Sequence, residues 1–348
     1  MKKRILVAPL NWGLGHATRC IPIINALVQE GFVPIIASDG DALSLLRKEF
    51  PNLSSIELPS YNITYAKNGK MFKLKLIKDS PRLLKTIKAE KKAISGILEH
   101  NDIAGIISDN RLGVRNKNTP SVFITHQLNV LSGTTTWLST KMHQKFIKKF
   151  DACWVPDTDG ELNLSGKLGH TKTFDIPTKY IGPLSRFNTK PCDIKNDLLV
   201  LLSGPEPQRT MLEQKLFEEL KNYKGKVVFV KGILEQEQTI QIIGNMTIYN
   251  FMTSDLLEKT LNESALVLSR SGYTTVMDLA KLNKKAFFIP TPGQFEQEYL
   301  AERLTEMQLV PSCSQDEFTI EKLNNTSNFI GLKAFNFNLD YKELFSLF

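Results

Sequence analysis

Short apolar runs alternate with helix-spaced ones from the start of the chain. A β-branched run at residues 5–8 precedes a helical pattern at 21–29, a second strand-like run at 33–37 and a second helical pattern at 42–49. This alternation predicts βαβ units, hence a parallel sheet with helices on both faces. Ser80-Pro81 reads as a helix cap followed by an N1 proline. Leu83, Leu84, Ile87, Ile94, Ile97 and Leu98 then form an apolar stripe at helical spacing. Further strands are predicted at 103–107, 121–125 and 152–155.

The pattern then restarts. After Tyr180-Ile181-Gly182-Pro183 and a polar linker near 185–196, a strand at 197–202 opens a second series. It continues with a helix at 211–220, strands at 227–230, 247–249 and 266–268, and a helix from Tyr273. A strand at 286–289 and a helix at 296–307 close it. The expectation is an α/β protein of two Rossmann-like domains facing each other across a cleft, residues 1–188 and 189–334, with a tail at 335–348 packing back on the first. Ligands of such sheets sit among the loops at the carboxyl ends of the strands.

Composition narrows the setting. With 348 residues, 42% of them hydrophobic, the chain can bury two cores. Its net charge of +8 favours an acidic partner: a phosphate ester, an anionic lipid or a nucleic acid. Cys20, Cys153, Cys192 and Cys313 lie far apart with no paired spacing, which argues against a disulfide framework or structural zinc. Met1-Lys2-Lys3-Arg4 imitates the start of a signal peptide, but the apolar run behind it is too short. No run approaches the roughly 20 residues that span a bilayer. A cytoplasmic protein, at most peripheral on the membrane, is expected.

Four loops carry candidate chemistry. Asn11-Trp12-Gly13-Leu14-Gly15-His16-Ala17-Thr18-Arg19 joins the first strand to the first helix. Gly13 and Gly15 permit a tight turn and close approach to the helix start, but a dinucleotide fingerprint would want a third glycine at Thr18. His16 suits a general base, since imidazole titrates near neutrality; the alternative is a histidine packed beside a turn. In the second half, Ser269-Arg270-Ser271-Gly272-Tyr273 opens a helix, where free N–H groups and the helix dipole suit a diphosphate; an ordinary Ser cap is the alternative. Asp278 on that helix is placed for ribose hydroxyls, or is a plain surface residue. Ser203-Gly204-Pro205-Glu206-Pro207-Gln208-Arg209 offers Arg209 to phosphate. The loop at 290–298 offers Gln297 and Glu298 to sugar hydroxyls.

These loops, taken together, resemble a known family. Arg270-Ser271-Gly272, Thr275-Val276-Met277-Asp278, Phe288-Ile289-Pro290 and Gln297 are similar in order and spacing to the carboxyl-terminal domain of family 28 glycosyltransferases, typified by the N-acetylglucosaminyltransferase that makes lipid II. That family has the GT-B fold. Gly13-Leu14-Gly15-His16 resembles its glycine-rich loop, Thr125-His126-Gln127-Leu128-Asn129 its His-Glu-Gln-Asn segment, and Ile181-Gly182-Pro183-Leu184-Ser185-Arg186 its Thr-Gly-Asn-Pro-Val-Arg.

The resemblance implies His16 as the catalytic base and Gly13, Gly15, Arg19, His126 and Asn129 on the acceptor side. It implies Arg186, Ser203, Gly204, Arg209, Ser271 and Gly272 at the nucleotide diphosphate, and Asp278 at the ribose, where the family has Glu. Phe251 and Met252 fall at the base, and Gln297 with Glu298 at the donor sugar. Two departures stand out: the family's Gly-Gly-Ser loop is here Ser203-Gly204-Pro205, and the Glu after His126 is missing. A metal-independent transfer from a nucleotide sugar, UDP-linked by resemblance, follows, with no cofactor and no metal. Asp157-Thr158-Asp159 imitates the metal-binding DxD of a different glycosyltransferase class, but it follows a late strand of the first half.

The acceptor is left open between a lipid-linked molecule and a glycan. Ten lysines and arginines between Lys67 and Lys92, interleaved with Met71, Phe72, Leu74, Leu76 and Ile77, suit an anionic membrane surface or a solvated helix face alike. The Gly-x-Gly-His-x-x-Arg opening also resembles nucleotide-sugar hydrolases of the same fold, so a hydrolase or epimerase is the alternative. A nucleic-acid-binding protein is the outside reading, though the chain has no RNA-binding motif or aromatic stacking platform.

Overall fold

Ile5, Leu6, Val7 and Ala8 are all fully buried, which requires cover on both faces of the strand they form, β1 (Arg4–Pro9). The structure, a computed structural model, describes residues 2–61, 72–171, 174–204, 206–233, 235–332 and 339–348, with the side chains of the helix that starts at Phe72 described from residue 82. Two compact units divide them: 2–61, 72–185 and 339–348 form the first, and 186–332 the second.

In the first unit β1 leads to α1 (Gly15–Gln29), β2 (Val33–Ser38), α2 (Gly40–Glu49), β3 (Ser55–Glu57) and α3 (Phe72–His100). Then come β4 (Ile103–Asp109), β5 (Ser121–Ile124), α4 (Thr136–Ile147), β6 (Ala152–Val155) and β7 (Thr178–Tyr180). All seven strands pair in parallel in the order β3-β2-β1-β4-β5-β6-β7. The order reverses between β1 and β4, so the loops leaving their carboxyl ends diverge and leave a crevice.

The second unit contains β8 (Asn196–Leu201), α5 (Gln208–Leu220), β9 (Val227–Val230), β10 (Ile240–Ile243), β11 (Met246–Tyr249) and α6 (Ser254–Asn262). It continues with β12 (Ser264–Ser269), α7 (Tyr273–Lys281), β13 (Lys285–Phe288) and α8 (Phe295–Glu306). Its sheet runs β10-β11-β9-β8-β12-β13, parallel except for the β10–β11 edge hairpin, and reverses between β8 and β12. Leu198, Val200, Leu216, Phe229 and Phe287 are in its core.

The last segment, with α9 (Tyr341–Leu344), belongs to the first unit. Phe345 packs edge-on to Phe32 at 5.8 Å, and Lys3 Nζ donates to the Phe348 carbonyl at 2.5 Å. Gly105 on β4 leaves room for the Phe348 ring, which a Cβ there would overlap.

Two helices start earlier than expected. α3 passes through Ser80-Pro81 instead of beginning there: a proline forfeits the bond to the carbonyl four residues back, and here the helix continues past that loss. α1 starts at Gly15 and carries Pro22 inside it. That earlier start sets His16 and Arg19 three residues apart on one helical face. The side chains at 62–81, including Lys67, Lys70, Lys73, Lys75 and Lys78 of the basic stretch, lie outside the described residues, as does Pro205.

Candidate active site

Gly13 turns the chain at φ +71°, a conformation that L side chains rarely adopt, and delivers it into α1. His16 then lies in the first turn of α1 and Asp109 is the last residue of β4, at the point where the strand order reverses. His16 Nδ1 is 2.8 Å from Asp109 Oδ1. Arg19, one turn on and almost wholly buried, donates through Nε to Asp109 Oδ2 at 2.5 Å and through a terminal nitrogen to Oδ1. The same terminal nitrogen is 2.8 Å from His16 Nδ1, and the other is 3.1 Å from His126 Nδ1, beyond the end of β5. A bidentate guanidinium–carboxylate pair thus anchors two histidines.

The charges set the protonation states. Burial alone would raise the Asp109 carboxyl, but Arg19 beside it, with His16, holds it well below the usual carboxylate range. Burial lowers the His16 pKa, the Arg19 charge lowers it further, and Asp109 opposes both. The imidazole is therefore neutral at pH 7. Ionised Asp109 can only accept, so the contact from Nδ1 to its Oδ1 is a hydrogen bond in the tautomer that carries its proton on Nδ1. That leaves Nε2 with a lone pair and no partner among the described residues, on a side chain that stays 13% exposed. Such a nitrogen can accept a proton from a hydroxyl.

Asp109 was not among the residues expected from sequence. Its only signal is a carboxylate closing a buried strand. Asn129 is nearby in sequence but differently employed: its Nδ2 donates to the carbonyls of Lys167 and His170 and holds that loop. Asp157 is also anchored, accepting from the backbone N–H groups of Thr158, Leu164 and Ser165. Among the described residues no group of three His, Cys, Asp or Glu side chains could hold a metal ion.

In the second unit the strand order reverses between β8 and β12, whose following loops hold Ser203-Gly204 and Arg270-Ser271-Gly272. Ser203 is exposed and Gly204 lies at φ +108°. Gly272 is the N-cap of α7, so no Ser side chain caps the helix, and a Cβ at Gly272 would meet only open space. Ser271 is buried, its hydroxyl donating to the Gln297 carbonyl at 2.8 Å. Gln297 Oε1 accepts from Thr291 N, and Glu298, exposed, accepts from Gly293 N, so both expected sugar readers brace the Thr291–Gly293 turn with an oxygen. Asp278 on α7 and Met252 after β11 are half-buried. The Arg186 guanidinium lies 4.8 Å from the centre of the Phe187 ring.

Arg209 does not fit the phosphate contact expected of it. Its donors go to Glu206 at 2.7 Å, Glu213 at 2.6 Å, the Lys231 carbonyl at 3.2 Å and the Thr210 hydroxyl at 2.9 Å. Two carboxylates within reach of one guanidinium commit it to the start of α5.

Residues 207–334 match the glycosyltransferase family 28 C-terminal domain. The second unit carries the glycosyltransferase family 28 C-terminal domain, and the chain has the GT-B fold. It is 22% identical over 333 residues to an uncharacterized glycosyltransferase of Methanopyrus kandleri, covering 89% of this chain and 90% of that one. It is 24% identical over 216 residues to the UDP-N-acetylglucosamine–N-acetylmuramyl-(pentapeptide) pyrophosphoryl-undecaprenol N-acetylglucosamine transferase of Buchnera aphidicola, a match spanning 59% of this chain and 57% of that relative. Among solved structures, the glycosyltransferase of kitacinnamycin superposes with a TM-score of 0.63 at 13% identity, over 93% of this chain and 89% of that one.

Proposed function

We propose that this glycosyltransferase moves a sugar from a UDP-linked donor to a hydroxyl of a lipid-linked acceptor, with His16 as the base. The observation that carries the reading is the neutral His16 imidazole, oriented by ionised Asp109 and lacking a partner on Nε2. In the step, the acceptor hydroxyl gives its proton to Nε2 while its oxygen attacks the anomeric carbon. The bond from that carbon to the diphosphate oxygen breaks, and the nucleoside diphosphate leaves with the electron pair. No metal takes part in this scheme; the charge growing on the leaving group is met by the amino end of α7 at Ser271-Gly272, by Ser203-Gly204 and by Arg186. Asp278 holds the ribose, Met252 lies against the base, and Gln297 offers the sugar its Nε2.

The name of the Buchnera relative supports a UDP donor and a lipid-linked acceptor. So does α4, whose outward stripe of Trp137, Leu138 and Met142 alternates with Lys141 and Lys145 and bears no acidic residue. Trp at an interface with flanking lysines suits an anionic leaflet. Among the described residues no helix is long and apolar enough to cross a membrane. The protein is proposed to work at the cytoplasmic face as a peripheral enzyme.

His16→Ala tests the base. Turnover should fall by about 100-fold to 10,000-fold, while UDP affinity, read from the melting shift that bound ligand produces, changes less than about threefold. Equal, modest losses in both would overturn the assignment.

A further inference from the structure

Arg270 holds a full charge in the interior of the second unit. It is 1% exposed, and no carboxylate pairs with it among the described residues. Its terminal nitrogens donate to neutral oxygens: the carbonyls of Ile289 at 3.2 Å, Pro290 at 3.0 Å and Gln208 at 2.9 Å, and Gln315 Oε1 at 2.7 Å. Its Nε has no partner, nor do Gln208 Oε1 and Thr291 Oγ1 on the two chain segments it ties together. Burial lowers its pKa to about 10, which still leaves it a cation at pH 7. Arg209, by contrast, is matched by Glu206 and Glu213 at the start of α5. Nature commonly offsets a buried guanidinium with a carboxylate, and carbonyl dipoles supply no net charge to do so.

The uncompensated cation is also the residue immediately before Ser271-Gly272, at the amino end of α7, where the helix dipole adds to the same positive potential. We propose that Arg270 is an electrostatic positioning residue for the donor: it ties the loops after β12 and β13 to the start of α5, and its unmatched charge is completed by the diphosphate of the bound nucleotide. The inference rests on reading the second unit as the nucleotide site. It explains why the arginine has only neutral acceptors: a carboxylate there would satisfy it and leave less potential for the ligand.

Gln315 makes the charge testable apart from the scaffold. Gln315→Glu keeps an acceptor of the same shape on Arg270 but supplies a counter-charge, so the guanidinium stays in place. The affinity for UDP and for inorganic pyrophosphate should fall about tenfold, equivalent to about 1.4 kcal/mol; uridine affinity should be unchanged and the melting temperature unchanged or higher. Arg270→Lys, which keeps the charge but loses the fork, should preserve the preference for UDP over uridine even if less stable. A Gln315→Glu protein that binds pyrophosphate like wild type, or loses uridine and UDP equally, overturns the charge role, as does an Arg270→Lys protein that loses the preference. If wild type binds neither UDP nor pyrophosphate, the nucleotide-site reading itself fails.

Discussion

Asp109→Asn is the substitution on which the first unit's geometry bears most directly. Asp109 is fully buried and Arg19 nearly so, and the carboxylate accepts two hydrogen bonds from Arg19 besides facing His16 Nδ1. The amide keeps the shape but turns N–H donors toward the guanidinium and leaves its charge without a partner. Breaking a buried pair in this way costs about 3–5 kcal/mol. Removing both partners, in Arg19→Met with Asp109→Asn, should recover most of that loss, because no unpaired charge then remains. All three tryptophans, Trp12, Trp137 and Trp154, belong to the first unit, so urea unfolding followed by tryptophan fluorescence reports on it alone. The pH dependence has a fixed sign. Asp109 is held below its unfolded value of about 3.9, so its stabilisation is complete above that pH and is lost as the pH falls through the lower folded value. The gap between wild type and Asp109→Asn should thus be level from about pH 5 to 8 and close below about pH 4. A single-variant loss under about 1 kcal/mol, or a double variant no more stable than the single, would refute the buried ion pair.

Two further outcomes are expected. Burial pushes His143, edge-on to Phe123 at 5.9 Å, down to about 4; above its unfolded pKa of about 6.5 both states are neutral, and below it only the unfolded chain takes the proton. First-unit stability should therefore fall between about pH 6.5 and 4, by up to about 1.4 kcal/mol per pH unit, and His143→Phe should flatten that slope in the same fluorescence assay; an unchanged slope assigns the acid sensitivity elsewhere. On α4, Trp137 is 71% exposed with Lys141 4.8 Å from its ring, and Trp137→Glu should cut flotation on vesicles containing about 30% phosphatidylglycerol by about fivefold or more. Equal flotation of both proteins, or of wild type on neutral vesicles, counts against a lipid-facing α4.

The alternation of strands and helices was legible because buried parallel strands need nearly every residue apolar, as at residues 5–8 and 198–200. Two of the elements missed, β10 and α4, lacked that constraint. β10 is an edge strand with Ile240, Ile242 and Ile243 all exposed, so burial imposed no pattern on it. α4 carries apolar residues on its outer face as well as its inner one, which erases the periodicity that marks a surface helix.

The candidate site divides along a similar line. Glycines and helix starts act through backbone, so Gly13, Gly204 and Gly272 announce themselves by residue type and by position after a strand. Side-chain chemistry depends on what meets the side chain in space. Arg209 and Glu298 have the functional groups expected of ligand contacts, yet neighbouring residues engage the first fully and a turn N–H engages the second. Asp109 is the converse case, an ordinary residue type made decisive by His16 and Arg19, which reach it from 93 and 90 residues away in the chain. What the spacing of His16 and Arg19 did imply, once α1 begins at Gly15, is that both point the same way, and a buried arginine facing a neutral histidine needs an anion. The carboxylate that supplies it also fixes which imidazole nitrogen is left to do chemistry, so the stability of the first unit and the proposed base depend on the same side chain.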